Sequence, residues 1–207
     1  MNTAVRGFTL IELMVVISII GILAGIVFVG ARPAGEQSRD TQRQSDLRQV
    51  QTALGLYKNR HGRYPEGCNA AESWSGQTGT DYACGSTNAP YILGNIGEGR
   101  PFAEFMVNLP TDPKLNEDDS GYVYTVNSDG SVYKFMAKNT VEAEVVTADH
   151  PFTSCAASCA GSPSHCSATS DQFQTSYAVW GGFAALSIAS SDAQVQSATE
   201  EIICDIP

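Results

Sequence analysis

The chain has 207 residues, of which 22 are acidic and 12 basic, so its formal net charge at pH 7 is −10. That length favours one domain with an appendage, and the negative charge argues against a broad phosphate-binding face, so direct binding of duplex DNA is not expected. A hydrophobic content of 43% excludes disorder throughout, although much of it lies in one block near the N-terminus.

This apolar block occupies residues 8–31 and contains one charged residue, Glu12. A helix rises about 1.5 Å per residue, so the block is long enough for a hydrocarbon core that needs roughly 20 residues. Arg6 precedes it, which predicts a cytoplasmic N-terminus and a body outside. The block therefore predicts a single-pass membrane segment.

Glu12 is unusual, because an acidic side chain near the centre of a membrane helix costs about 2.5 to 3.5 kcal/mol on insertion scales. One interpretation is that the side chain lies close enough to the interface to reach water. The other is that it pairs with a cation in an assembly of like helices, such as an α-amino group freed by cleavage nearby.

Residues 6–12 read Arg-Gly-Phe-Thr-Leu-Ile-Glu and precede the apolar run, and this pattern resembles the class III signal of type IV pilins and pseudopilins. The resemblance implies that a prepilin peptidase cuts after Gly7, releases residues 1–7 as a leader and methylates Phe8. It implies that Glu12 pairs with the N-terminal amine of a neighbouring subunit. The implied partners are identical or homologous pilin subunits, the prepilin peptidase and an inner-membrane assembly platform.

Ordinary signal-peptide cleavage after Ala31 is the alternative, because Val29-Gly30-Ala31 satisfies the small-residue pattern. Glu12 inside the apolar stretch opposes this interpretation, and so does Pro33 just beyond the cut. The helical pattern that continues directly from the block opposes it as well.

Residues 32–64 are expected to continue the helix as an amphipathic segment. Pro33 removes a backbone donor and is expected to kink the helix, whereas Gly62 and Pro65 predict its end. The apolar residues recur at the helical spacings of three and four, with two more widening the stripe: Leu47, Val50, Leu54 and Tyr57, widened by Ala53 and Leu56.

Residues 65–207 are expected to form a globular head. Its first part, residues 68–100, is interpreted as an ordered loop with scattered aromatic anchors such as Trp74. Residues 101–108 suit a short helix that begins at a proline and ends before Leu109-Pro110.

The sheet of the head is predicted from strand-like alternation. Residues 122–126 and 132–136 alternate on either side of the turn residues 127–130, which indicates an antiparallel hairpin. Residues 144–147 are a candidate third strand, and a further strand is expected at 177–180.

The segment from Leu109 to Pro113 and the Tyr-x-Tyr strand after it also resemble the sheet entry of pilins and major pseudopilins. The expected fold class is therefore α+β and pilin-like. A long N-terminal helix packs on a small antiparallel sheet, and a disulfide-bonded extension follows at the C-terminal side.

Six cysteines, together with a membrane-targeting N-terminus, favour an oxidising compartment and disulfides. A bridge between Cys68 and Cys84 would hold the loop at residues 68–100. Six paired cysteines allow 15 connectivities, among which the sequence does not choose. The working hypothesis for the remaining four is Cys166–Cys204 with Cys155–Cys159. A zinc site is the alternative, but its residues lack the paired C-x-x-C spacing: Cys155, Cys159, His165, Cys166 and Cys204.

Acidic residues crowd one end of the predicted hairpin, and hard oxygen ligands at this density can hold Ca²⁺. Their spacing does not match an EF-hand loop, and a solvated acidic loop is the alternative. The resemblance supports the calcium hypothesis, because major pseudopilins bind calcium in a loop of this neighbourhood. The acidic residues include Glu117 and the four candidate ligands: Asp112, Asp118, Asp119 and Asp129.

An enzymatic function is not expected, because the histidines lie in polar or turn contexts and the sequence has neither a G-x-S-x-G elbow nor a phosphate-binding glycine loop. The resemblance implies a structural subunit of an extracellular type IV pilus, made as an inner-membrane precursor. The alternatives are a pseudopilin of a type II secretion system, a minor tip adhesin or DNA-uptake pilin, and a secreted enzyme behind a removable signal. DNA uptake would need a local basic patch such as Lys58, Arg60 and Arg63.

Overall fold

The computed structural model describes residues 7–67, 74, 102–114, 120–156, 159, 164–182, 203 and 204, and within residues 26–32 it describes the backbone alone. The chain forms two compact units, Met1–Ser38 and Arg39–Pro207. The predicted bridge Cys68–Cys84 and the predicted calcium ligands Asp118 and Asp119 lie outside the described residues.

One long helix, α1, spans Leu10–His61, which confirms the predicted continuous helix. Pro33 lies inside it, so the missing N–H of this proline removes one backbone donor without ending the helix. The helix ends where the sequence predicts. Gly62 adopts the left-handed conformation with φ 78°, and its N–H donates to the carbonyl of Lys58 at 2.7 Å.

In the Arg39–Pro207 unit, α1 contributes a buried stripe at the predicted spacing. The prediction that Leu56 widens this stripe was wrong, because its side chain is 51% exposed. Successive helical residues are about 100° apart, so Leu56 points roughly 200° away from Leu54. The stripe consists of five buried residues: Leu47, Val50, Ala53, Leu54 and Tyr57.

Three antiparallel strands form one sheet with β2 in its centre: β1 (Gly121–Val126), β2 (Val132–Lys138) and β3 (Tyr177–Gly182). The predicted hairpin is confirmed as β1 and β2, and the strand predicted at 177–180 is confirmed as β3. Phe135 lies opposite Tyr124 on one side and Val179 on the other. These three apolar residues therefore share one face of the sheet.

The sheet is covered on both faces. The period of two along each strand places alternate side chains on opposite sides. One face packs on the α1 stripe and carries mostly aromatic residues: Tyr122, Tyr124, Tyr133, Phe135, Ala137, Tyr177 and Val179. The other face, which includes Val132 and Trp180, packs on a cluster from the C-terminal part of the chain: Cys155, Cys159, Cys166, Phe173, Ile203 and Cys204.

A short helix, α2 (Asp171–Gln174), holds Phe173 in that cluster. Its N-cap is Ser170, whose hydroxyl oxygen accepts the N–H of Phe173 at 3.2 Å. The hydroxyl satisfies one of the backbone donors that a helix start leaves unpaired.

Two predicted elements differ from the structure. Residues 144–147 do not form a strand. The N–H of Val146 donates to the carbonyl of Gln174 at 2.9 Å and its side chain is buried, so this segment packs on the core without joining the sheet. The short helix predicted at 101–108 is a 3-10 turn limited to Phe102–Glu104.

The predicted anchor Trp74 is confirmed as a core residue. Its side chain is fully buried, and its indole N–H donates to the carbonyl of Pro110 at 2.9 Å. The ring centroid lies 4.5 Å from that of Phe135. Trp74 therefore fills the core and satisfies its one polar atom at the same time.

Candidate functional site

The N-terminal end of α1 carries the residues that the sequence assigns to processing and assembly. Phe8, which follows Gly7, is 89% exposed. Thr9 and Glu12 then make reciprocal contacts. The N–H of Glu12 donates to Thr9 Oγ1, and Glu12 Oε2 accepts from both the N–H and the hydroxyl of Thr9, each at 3.2 Å. This arrangement is a capping box.

The capping box gives Glu12 a partner within its own helix. Two of the backbone N–H groups at the start of α1 are satisfied by it. The sequence held the signal, since Thr9-x-x-Glu12 directly precedes an apolar run, but the prediction for Glu12 rested on its charge and on the resemblance, and it did not include capping. The structure therefore gives Glu12 a role in helix capping, and the predicted subunit pairing is a separate role that substitutions can test.

Large apolar side chains within residues 8–23 are exposed all around the helix. Even the least exposed of them, Val16, is 49% accessible. A helix that is apolar on every side is normally covered, either by lipid or by other protein chains. Within the described part of the chain, no helix has both the length and the apolarity required to span a membrane. The exposed set is as follows: Phe8, Leu10, Ile11, Leu13, Met14, Val15, Val16, Ile17, Ile19, Ile20, Ile22 and Leu23.

Four of the predicted cysteines form two disulfides, but the hypothesis for their pairing was wrong. Cys155 bonds Cys166 and Cys159 bonds Cys204, with Cα–Cα distances of 5.6 and 5.4 Å. The 3-10 turn Ser164–Cys166 brings Cys166 to Cys155, which leaves Cys159 to meet the segment at Cys204. Bridging depends on the direction of the Cβ atoms, which spacing along the sequence does not reveal.

The zinc alternative does not fit these residues. Cys155, His165 and Cys166 have potential ligand atoms close together. Both sulfurs are consumed by the Cys155–Cys166 bond, and a metal ligand must be a free thiolate. The Nε2 atom of His165 contacts the carbonyl oxygen of Cys204.

The proposed basic patch is not a free cationic surface. Lys58 Nζ donates to the carbonyl of Ser131 at 3.0 Å and lies 4.4 Å from the ring centre of Tyr64. Arg60 lies 3.5 Å from a carboxylate oxygen of Glu104, and Arg63 is ion-paired to Glu66. Each of the three cations has a partner within the head, so the geometry adds no support for binding nucleic acid.

A buried charge cluster, called here the Arg43 network, joins α1 to two loops beside the sheet. Arg43 lies at its centre with no exposed side-chain surface. Its Nε and Nη2 atoms donate to the two oxygens of Asp112, each at 2.9 Å. Its Nη1 atom donates to Asp40 at 2.6 Å and to Glu142 at 3.1 Å. The network has six members: Arg39, Asp40, Arg43, Asp112, Lys114 and Glu142.

The outer members complete the network. Asp40 accepts the backbone N–H groups of Glu142 at 3.0 Å and of Ala143 at 2.7 Å. Glu142 also accepts two parallel bonds from Arg39 at 2.7 Å and one from Lys114 at 2.6 Å. Three cations face three carboxylates, so the cluster is neutral and every carboxylate is hydrogen-bonded.

Sequence reasoning missed this network, although a signal was present. Asp40 and Arg43 precede Leu47 at spacings of three and four, so they continue the buried stripe of α1. Charged residues in line with an apolar stripe are either exposed at its end or paired inside. The structure shows the second case, with both side chains at most 1% exposed.

The network shifts the pKa of its charged groups. The hydrogen bond from Arg39 is the main cause that lowers the pKa of Glu142 far below its ordinary value, against the opposing effect of burial. Burial alone would lower the pKa of Arg43, but the bonds and charge of Asp112, with Asp40 and Glu142, outweigh it and raise the pKa. Both residues therefore stay ionised at neutral pH.

The lowered pKa of Glu142 predicts acid sensitivity of the head. A carboxyl whose pKa is depressed by folding contributes its full stabilisation above its unfolded pKa, near 4.5, and loses it as the pH falls toward the folded value. We therefore expect the free energy of unfolding to fall with pH below about 4.5. Chemical denaturation of the wild-type chain and of Glu142→Gln from pH 7 to acid pH measures this. The Gln variant should be less stable at pH 7 and show a smaller decline, whereas equal slopes would contradict the assignment.

Of the four candidate calcium ligands, the structure describes Asp112 and Asp129, and these two have separate sets of partners. Asp112 is enclosed in the Arg43 network. Asp129 lies in the β1–β2 turn, where its Oδ1 accepts the N–H of Ser131 at 3.0 Å and the hydroxyl of Ser131 at 2.7 Å. Asp112 therefore does not fit a calcium site, and Asp129 serves the turn. With Asp118 and Asp119 outside the described residues, the full set stays a prediction.

Comparison with known proteins finds a family match in the N-terminal segment. Residues 2–28 match a family described as the prokaryotic N-terminal methylation motif. This match confirms the resemblance seen in residues 6–12.

The chain is similar to curated proteins of two kinds. The chain is 42% identical over 60 residues to type II secretion system core protein G of Pectobacterium carotovorum, covering 29% of this chain and 38% of that protein. It is 40% identical over 68 residues to the protein of the same name from Escherichia coli, covering 33% and 47%. It is 35% identical over 71 residues to the type IV major pilin protein PilE1 of Neisseria gonorrhoeae, covering 34% and 43%. The chain therefore spans less than half of the length of these relatives, and no solved structure matches it.

Proposed function

We propose that this chain is a structural subunit of an extracellular type IV pilus. It polymerises through residues 8–31 after a prepilin peptidase has removed residues 1–7 and methylated Phe8. The match of residues 2–28 to the N-terminal methylation motif carries this proposal. The apolar helix surface exposed in the isolated chain supports it, because that surface needs a cover of lipid before assembly and of neighbouring helices afterwards.

The parts of the chain then have distinct roles. Residues 8–31 anchor the precursor in the inner membrane and later form the filament core. Residues 32–64 continue the helix as an amphipathic segment, and residues 65–207 form the head with its cysteine-rich region. The partners are identical or homologous pilin subunits, the prepilin peptidase and an inner-membrane assembly platform. Catalysis forms no part of this function.

A pseudopilin of a type II secretion system is the second candidate. The identity to type II secretion system core protein G supports it, since it is 42% in one relative against 35% for PilE1. The disulfides of the head are compatible with both candidates, because such bonds persist in the periplasm as well as outside the cell. A minor tip subunit shares the same N-terminal chemistry and would differ in copy number.

Electron microscopy of fibres sheared from the cell surface, with mass spectrometry of their main band, tests the proposal. We expect fibres in which this chain is the principal component. The chain found only in the cell envelope, together with a secretion defect on its deletion, would favour the pseudopilin instead. A trace amount in fibres made of another subunit would identify a minor pilin.

We predict that the mature chain begins with N-methylated Phe8. Edman sequencing or intact mass analysis of the processed chain measures this. Ala31→Phe is a matched control, because a bulky residue blocks the small-residue pattern of ordinary signal cleavage and should leave processing at Gly7 unchanged. A mature chain that starts at Arg32 would overturn the filament proposal.

A further inference from the structure

Both oxygens of the Asp112 carboxylate are already engaged by hydrogen-bond donors. Oδ2 accepts Arg43 Nε, while Oδ1 accepts both Arg43 Nη2 and the N–H of Lys114, each at 2.9 Å. The side chain has no exposed surface. A cation could reach these oxygens only by displacing a buried guanidinium, which would then lie uncompensated inside the head.

The charges around Asp112 also disfavour a second cation. A cavity of about 150 Å³ beside the network is lined by Arg43 and Lys114, and its one carboxylate, Glu142, is already bonded to both and to Arg39. Like charges at a few ångströms repel strongly where water is scarce.

The side chains that line this cavity include a single carboxylate. Calcium takes six to eight oxygen ligands and favours sites rich in carboxylates, whereas Glu142 is already engaged by three cations and the other side-chain oxygens in the lining are neutral.

The network links the segments that a bound ion in this position would link. Through Arg43 it ties α1 to the loop before β1 at Asp112, and through Asp40 it ties α1 to the backbone of the loop after β2 at Glu142 and Ala143. Three segments distant in sequence thus meet at one buried guanidinium.

We infer that Arg43 takes the place of calcium in this head, so that the loops flanking β1 and β2 are fastened to α1 without a metal ion. On this inference the stability of the head does not depend on calcium, and Arg43 is its positioning residue. This inference concerns the cohesion of the head and stands apart from the proposed function, because it holds for a pilus subunit and for a secretion pseudopilin alike.

The test is the melting temperature of the full mature chain in detergent, with excess EGTA and with millimolar calcium chloride. We expect the two values to agree within about 1 °C, whereas saturating calcium at a hundred times its dissociation constant would raise the melting temperature by roughly 5 to 10 °C. A calcium-dependent rise of that size overturns the inference, whichever residues bind the ion.

Two variants test the role of Arg43. Arg43→Lys keeps the charge but loses the planar fork, and we expect it to melt roughly 10 °C lower. Arg39→Lys is the matched control, since Arg39 is one-third exposed and its loss should cost only about 2 °C. Equal melting temperatures for the wild type and Arg43→Lys would contradict the inference. If Arg43→Lys fails to fold, the EGTA comparison on the wild-type chain still decides.

Discussion

Replacing Glu12 with alanine is expected to leave membrane insertion intact or improved and to abolish fibre assembly. The substitution removes a desolvation cost of about 2.5 to 3.5 kcal/mol on insertion scales. Under the proposed function it would also leave a neighbour's terminal amine unpaired in the fibre core, which costs about 3 to 5 kcal/mol per subunit. That loss corresponds to a decrease of more than about a hundredfold in the assembly equilibrium. Membrane fractionation and the yield of sheared fibres measure the two effects separately.

The capping box makes three further variants informative. Glu12→Gln retains an oxygen that can accept the N–H of Thr9 but carries no charge, so we expect it to fail in assembly as Ala does. Thr9→Val keeps the charge and removes the cap, at a cost of about 1 kcal/mol to the first turn of α1. Glu12→Asp keeps the charge on a shorter side chain and should be less harmful than Ala.

Fibre yield therefore separates the charge of Glu12 from its role in capping. Normal fibres from Glu12→Gln with poor fibres from Thr9→Val would show that the helix cap matters and the charge does not. Normal fibres from Glu12→Ala would remove any assembly role.

Removing the Cys159–Cys204 bridge is expected to destabilise the head more than any other change to its cysteines among the described residues. The bonded residues are 45 apart in sequence, and the loop-entropy model gives about 4 kcal/mol for a loop of that length. The bridge also holds Ile203 and Cys204 against the second face of the sheet, where Lys134 Nζ donates to the carbonyl of Ile203 at 3.1 Å. Denaturant unfolding of the mature Cys159→Ser/Cys204→Ser chain, followed by tryptophan fluorescence, measures the loss.

The second bridge provides the matched control. Cys155 and Cys166 are 11 residues apart, so their replacement by serine should cost about 3 kcal/mol. Non-reducing peptide mapping of the wild type must first give the Cys155–Cys166 and Cys159–Cys204 peptides. A larger loss for the shorter loop would show that packing, and not loop closure, controls the stability of this region.

Regular elements of this fold were predictable from the sequence because each has a local cause. The stripe at Leu47, Val50 and Leu54 follows the helical period. Gly62 adopts the left-handed conformation that ends α1. The β1–β2 hairpin combines strand alternation with turn residues. The prediction of a strand at residues 144–147 was wrong, because β-branched residues suit any extended segment. Whether such a segment joins a ladder depends on a neighbouring strand that no local pattern specifies.

For the candidate site, the sequence supports predictions only where the residues lie close together in the chain. The cleavage and methylation positions lie within one short motif, whereas the disulfide pairing and the Arg43 network join residues far apart in the chain. Asp112 was singled out as a candidate calcium ligand, and its partner Arg43, which lies 69 residues earlier on α1, was not anticipated. Long-range pairing of charges requires the tertiary fold, and the sequence offered only the alignment of Asp40 and Arg43 with the apolar stripe.

The two-sided cover of the sheet has a consequence for biogenesis. Synthesis proceeds from the N-terminal side, so α1 can reach its face of the sheet as soon as β3 has been made. The cover of the opposite face is complete only when Cys204 has been made and has formed its disulfide with Cys159. Until then this face lacks Ile203 and Cys204, and Lys134 lacks the carbonyl of Ile203 as an acceptor. Completion of the head therefore depends on a late disulfide as well as on the packing of the strands.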